Sequence, residues 1–76
     1  MEKIRVDHGE LNHIINCNHV IYAGVTKEFN IAADGLYDEG YRGKLYYVHI
    51  LDIFENLRSD VCTPGYVFVI VGRKLT

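Results

Sequence analysis

Two apolar runs dominate the hydropathy pattern of the chain. The longer follows Tyr41-Arg42-Gly43 and extends from Lys44 to Ile53, with Leu45, Tyr47, His49, Leu51 and Ile53 on one alternating face and Tyr46, Val48 and Ile50 on the other. The second is Tyr66-Val67-Phe68-Val69-Ile70-Val71. Their β-branched and aromatic residues predict strands, and a strand apolar on both faces must be covered on both. The two runs are therefore expected to pair at the centre of one small β-rich domain. Between them, the polar stretch Glu55–Asp60 and the turn signal Thr63-Pro64-Gly65, which holds the only proline, predict a loop.

The first half of the chain is more broken. Ile4-Arg5-Val6 alternates as a short half-buried strand would, and Asp7-His8-Gly9 interrupts it. Beyond the break, Leu11, Ile14, Ile15 and Asn18 fall at i, i+3, i+4 and i+7, which predicts a short amphipathic helix over Glu10–Cys17. Asp7 is placed to cap it, with Glu10 three residues on. His19–Ala23 has two readings, a continuation of this helix or a strand favoured by Val20, Ile21 and Tyr22, and Gly24 ends the segment in either. Lys27–Ala32 alternates with Phe29 and Ile31 on one face and predicts a strand. Asp34-Gly35 then reads as a type I′ hairpin turn, Leu36-Tyr37 as a brief return strand and Asp38-Glu39-Gly40 as a second turn. The expected fold class is α+β, a small partly closed β-barrel with one short helix near the N-terminus, with residues 1–76 forming a single domain.

Composition supports a folded domain: 49% of the 76 residues are hydrophobic and 24% are charged, outside the charge-rich, apolar-poor range of disordered chains. The formal net charge is −2, from 8 basic and 10 acidic residues, so nucleic acid would have to be held by a local basic patch. No apolar run approaches the roughly 20 residues that span a bilayer, and Met1–Asp7 lacks the apolar core of a signal peptide. A cytoplasmic location without membrane association is expected. The two cysteines, Cys17 and Cys62, are expected as reduced thiols.

His13 and Cys17 share a helix face and His19 follows, a start on a zinc site that would need Cys62, His8 or His49 as fourth ligand. No paired Cys-x₂-Cys or His-x₃-His motif supports it, and no metal or other cofactor is expected. Cys17 beside His13 or His19 lacks the surroundings of a positioned nucleophile. Asp34, Asp38 and Glu39 do not match a calcium loop, so no catalytic residue is assigned. The six tyrosines are more informative. Tyr37 and Tyr41, together with Lys27, Arg42 and Lys44, combine aromatics that stack bases with cations that hold phosphates. Tyrosine and arginine also mark protein interfaces.

The order of His8, a helix, Gly24, Lys27 and Phe29-Asn30-Ile31-Ala32, then Tyr37 and Gly40, then Val48-His49-Ile50-Leu51 and Gly65-Tyr66-Val67, resembles the small PUA-like domains of the ASCH superfamily. It departs from them at Asn30 and Ala32, where that family carries glutamate and arginine. The resemblance implies a compact barrel with helices that binds RNA or a nucleotide-like ligand along a cleft. The expected function is therefore a non-catalytic RNA- or nucleotide-binding module using Lys27, Tyr37, Tyr41, Arg42 and Lys44. The alternative is a small interaction protein, such as a phage-type inhibitor or accessory subunit, that docks a tyrosine-rich face and an exposed strand edge onto a host protein.

Overall fold

Leu45, Val48 and Ile70 expose no surface, and they mark the centre of the fold. A computed structural model describes residues 1–53 and 65–75 of the chain. The elements are β1 (Glu2–Arg5), α1 (His8–Cys17), β2 (Val20–Thr26), α2 (Phe29–Asp38), β3 (Tyr41–His49), the short α3 (Ile50–Ile53) and β4 (Tyr66–Lys74). As the two apolar runs predict, β3 and β4 pair antiparallel, from Tyr41 beside Lys74 to His49 beside Tyr66. β1 adds parallel to β3, and β2 adds antiparallel to β4, giving a four-stranded sheet of order β1-β3-β4-β2.

The long strands are apolar on both sides because each side carries a helix. On one face Leu45, Phe68 and Ile70 pack with Ala33 and Leu36 of α2. On the other, Val48 and Val69 pack with Val6 and with Leu11 of α1. α1 carries the chain across one face from the β1 edge to the β2 edge, and α2 brings it back across the opposite face to β3. Opposite directions on opposite faces give both crossovers the same hand.

The α+β class holds, and the four strands of the described residues form an open sheet rather than a closed barrel. The burial of β3 on both faces, which suggests a barrel wall lined by one helix, is supplied by two helices on an open sheet. The predicted N-terminal helix is present as α1, beginning two residues earlier than its periodicity suggests. The Asp7 carboxylate accepts a hydrogen bond from the Glu10 N–H at 2.8 Å, satisfying one of the orphan donors of the first turn. His19–Ala23 resolves as strand, since β2 begins at Val20.

Phe29–Asp38 is the largest departure: the segment read as a strand, a hairpin turn and a return strand is one ten-residue helix. Phe29, Ala32, Ala33 and Leu36 lie at i, i+3, i+4 and i+7, and this stripe packs toward the sheet. Glu28 caps it, its carboxylate accepting from the Asn30 N–H at 3.0 Å. β3 also ends earlier than the apolar run, at His49, and Ile50–Ile53 turns into α3. There Arg5 at the end of β1 meets the Asp52 carboxylate at 3.5 Å. The predicted loop Glu55–Asp60 and the Thr63-Pro64 half of the turn signal lie outside the described residues.

Gly35 sits inside α2, where glycine costs about 1 kcal/mol relative to alanine. A methyl group there would meet no atom within 4 Å. Gly35→Ala is accordingly expected to raise the unfolding free energy by about 1 kcal/mol in urea titrations, with the slope of the transition unchanged.

Candidate nucleic-acid interface

The two central strands outrun their neighbours. β1 reaches only as far as Lys44, which lies beside Glu2, and β2 only as far as Val71, which lies beside Val20. Beyond those positions Tyr41–Gly43 and Gly72–Lys74 continue as a two-stranded ribbon, closed by the Leu75 N–H donating to the Gly40 carbonyl at 2.8 Å. At its root Gly43 faces Gly72, with φ of 137° and 155°. A Cβ on Gly43 would stand 2.1 Å from the Val71 oxygen, and one on Gly72 would stand 2.0 Å from the Arg42 oxygen. Only glycine permits this approach of the two backbones.

Pairing at this register gathers charge that is scattered in the sequence. Arg42 lies beside Arg73, Tyr41 beside Lys74, and Lys44 beside Val71. Four of the chain's 8 cationic residues thus fall within one short stretch of paired strand, although the whole protein is net acidic. Lys44, Arg73 and Lys74 are exposed. Among the described residues the ion pair is that of Arg5 with Asp52, and no carboxylate of those residues forms an ion pair with these three side chains. Asp38 and Glu39 stand nearby at the end of α2 and likewise make no ion pair with them.

Arg42 is the most constrained of the four. Its Nη1 donates to the Tyr37 carbonyl at 2.7 Å and to the Tyr41 carbonyl at 2.9 Å, and its guanidinium carbon lies 3.6 Å from the centre of the Tyr37 ring. A cation on a last-turn carbonyl of α2 complements the negative end of the helix dipole. Arg42 therefore ties the ribbon to α2 while presenting its stacked Tyr37 at the surface. Lys74 holds its ammonium 5.1 Å from the centre of the Tyr41 ring. That ring meets Tyr22 edge-on at 5.5 Å, and Tyr22 stacks on Phe68 at 5.8 Å. An aromatic row leads from the ribbon onto the α2 face of the sheet.

Of the five residues singled out from the sequence, the structure brings Tyr37, Tyr41 and Arg42 into contact and places Lys44 just beyond them on β3. Lys27 lies at the opposite end of the sheet. It follows Thr26, which is level with Tyr66 and His49, about 23 Å along the strands from Arg42. Arg73, Lys74 and Tyr22 belong with the ribbon but escape a reading of the sequence by segment. The signal that finds them is the glycine pair: aligning Gly43 with Gly72 in antiparallel register sets Arg42 beside Arg73.

The remaining constellations stay apart from this surface. A groove of about 310 Å³ runs between β2 and α2, lined by Tyr22, Gly24, Ala32, Gly35, Leu36 and Phe68 among others. The Cys17 thiol lies 3.7 Å from His13 Nδ1 on the exposed side of α1. Among the described residues no three histidine, cysteine or acidic side chains come together to hold a metal ion. Cys62 lies outside those residues. None of the described helices is long and apolar enough to cross a membrane. No family model, curated protein or solved structure matches the chain.

Proposed function

We propose that the protein is a non-catalytic module that binds RNA or a nucleotide-like ligand on the β3–β4 ribbon. The observation that carries this reading is that the β3–β4 register sets Arg42 beside Arg73, with Lys44 and Lys74 within two residues of them on the same two strands, on a chain of net charge −2. In this reading Lys44, Arg73 and Lys74 contact phosphates, and Tyr37 with the Tyr41–Tyr22 row supplies stacking surfaces for bases. The ASCH resemblance points to the same ligand class, and an open sheet with a projecting ribbon takes the place of the barrel cleft. Lys27, at the far end, is left out of this surface.

Fluorescence anisotropy with a labelled single-stranded RNA tests the proposal. The triple substitution Lys44→Ala, Arg73→Ala, Lys74→Ala is expected to weaken binding at least tenfold. It should also flatten the dependence of log affinity on log salt by about 2, since each phosphate contact to single strands contributes about 0.7. Arg42 is left intact because it holds α2. An unchanged affinity and salt slope would remove the ribbon as the site. The second reading, docking onto a host protein, draws support from β2, an edge strand with no charged residue from Val20 to Thr26. A nuclease-resistant, salt-insensitive complex indifferent to the triple substitution would favour it.

A further inference from the structure

Three local rules are broken along the groove between β2 and α2. Glycine weakens a strand interior and often marks a close approach of other atoms, and Gly24 sits inside β2. A Cβ there would meet the Phe68 ring at 3.2 Å and the Tyr22 ring at 3.3 Å, so this glycine leaves the space that the stacked pair occupies in the groove. Gly35 breaks the helix rule. It lines the facing wall, and a methyl group on it would meet no atom within 4 Å, so the wall is recessed where a side chain would stand. Glu39 breaks the dipole rule. Its carboxylate belongs to the C-terminal cap of α2, the negative end of the helix, and among the described residues no cation forms an ion pair with it. All three residues line the same groove. Rules broken together at one place, each at a cost in stability, mark a functional site.

We propose that this groove takes one guanine base of a single strand whose phosphates lie on the β3–β4 ribbon, an inference that rests on the RNA-binding reading of that ribbon. Tyr22 joins the two surfaces: its ring lines the groove and also meets Tyr41, over which Lys74 holds its ammonium. With 38% of its surface exposed, Tyr22 offers a face on which a base stacks. A volume of about 310 Å³ is at the lower end of the range for small-molecule sites and suits one base. The Glu39 carboxylate selects which base, because it can only accept hydrogen bonds, through two oxygens. Guanine presents two adjacent donors on its Watson–Crick edge, the ring N–H and the exocyclic amine, which match those oxygens in charge-assisted bonds. Adenine and cytosine place one amine beside a bare ring nitrogen, and uracil sets its N–H between two carbonyl oxygens. In each of these an acceptor faces the second carboxylate oxygen. The edge must be unpaired to be read, which requires single-stranded nucleic acid.

Nuclear magnetic resonance titration with the monophosphates of guanosine, adenosine, cytidine and uridine, followed at the Gly24 and Gly35 amides, tests the groove independently of the ribbon. Guanosine monophosphate should shift both resonances and bind about tenfold more tightly than the other three. Inosine monophosphate, which lacks the exocyclic amine, should fall between. Glu39→Gln, which exchanges one acceptor oxygen for a donor, is expected to lose about tenfold in guanosine monophosphate affinity and the preference with it. Gly35→Leu puts a good helix former into α2 and fills the recess, so the Gly24 shift should vanish with no loss of stability. Should that variant unfold, Gly35→Ala, expected to be more stable than the wild type, should weaken the same nucleotide. Equal affinity for all four, shifts confined to ribbon amides, no shift at all, or a guanine preference that survives Glu39→Gln would overturn the proposal. The two readings fail separately. A guanine preference at Gly24 and Gly35, in a protein whose RNA binding ignores the triple substitution Lys44→Ala, Arg73→Ala, Lys74→Ala, upholds the groove and removes only the ribbon. RNA binding that needs the ribbon, with no preference among the four nucleotides, removes only the groove.

Discussion

Leu45→Ala should remove most of the stability of this protein. Leu45 exposes no surface and packs with Ala33, Leu36, Phe68 and Ile70, where α2 meets the sheet. Truncating a fully buried leucine costs about 2–5 kcal/mol, combining lost transfer energy with the cavity left behind. A domain of 76 residues has roughly 4–11 kcal/mol in total at ordinary per-residue stability. Urea titration of Leu45→Ala should accordingly show the transition displaced far toward zero denaturant, with a partly unfolded population in buffer. Leu45→Ile, which conserves volume, should cost less than about 1.5 kcal/mol. Equal losses for the two would mean that side-chain shape, not buried volume, governs this position.

Gly72→Ala should be nearly as damaging by a different route. The glycine holds φ of 155°, and a Cβ there would stand 2.0 Å from the Arg42 oxygen. Relief requires the two strands to part at the Gly43–Gly72 pair, at a cost of about 3 kcal/mol when strain and lost pairing combine. Amide exchange of Tyr41, Arg42, Arg73 and Lys74 should accelerate more than that of Leu45 and Ile70, because the ribbon opens before the core does. If the ribbon binds RNA as proposed, RNA affinity should fall with it, although every cation is retained. Protection of the ribbon at the wild-type level in Gly72→Ala would show that the backbone accommodates the methyl group. The sign contrasts with Gly35→Ala: one glycine is required by its neighbours, and the other only weakens a helix.

The parts of this fold that the sequence shows clearly are those whose periodicity has no competitor. The β3–β4 pair is marked by two long apolar runs, and α1 by Leu11 and Ile14 behind an Asp7 cap. α2 is hidden by a local conflict. Phe29 and Ile31 suggest alternation and Asp34-Gly35 suggests a turn, while Phe29, Ala32, Ala33 and Leu36 carry the helical stripe. Ile31 proves to be 73% exposed, so the alternation describes no buried face. Burying the stripe against Leu45, Phe68 and Ile70 outweighs the helix penalty of one glycine, a tertiary effect that local propensity does not contain. The candidate site is half legible for a related reason. Tyr37, Tyr41 and Arg42 are close in sequence, but Arg73 and Lys74 join them only through strand register.

The strand order has a consequence for how the protein is made. β1 and β2, the first two strands synthesised, do not touch each other; they lie at opposite edges and wait for β3 and β4. β2 has no partner until β4 exists, and β4 is the last element of the described chain to leave the ribosome. Pairing of this kind is of high contact order and cannot proceed piecemeal as synthesis advances. The nascent chain must therefore carry an uncharged, strand-forming segment unpaired until β4 has been made, and the sheet assembles only then. That interval, rather than the finished fold, is when this sequence is most exposed to misassociation and when a chaperone would have most to hold.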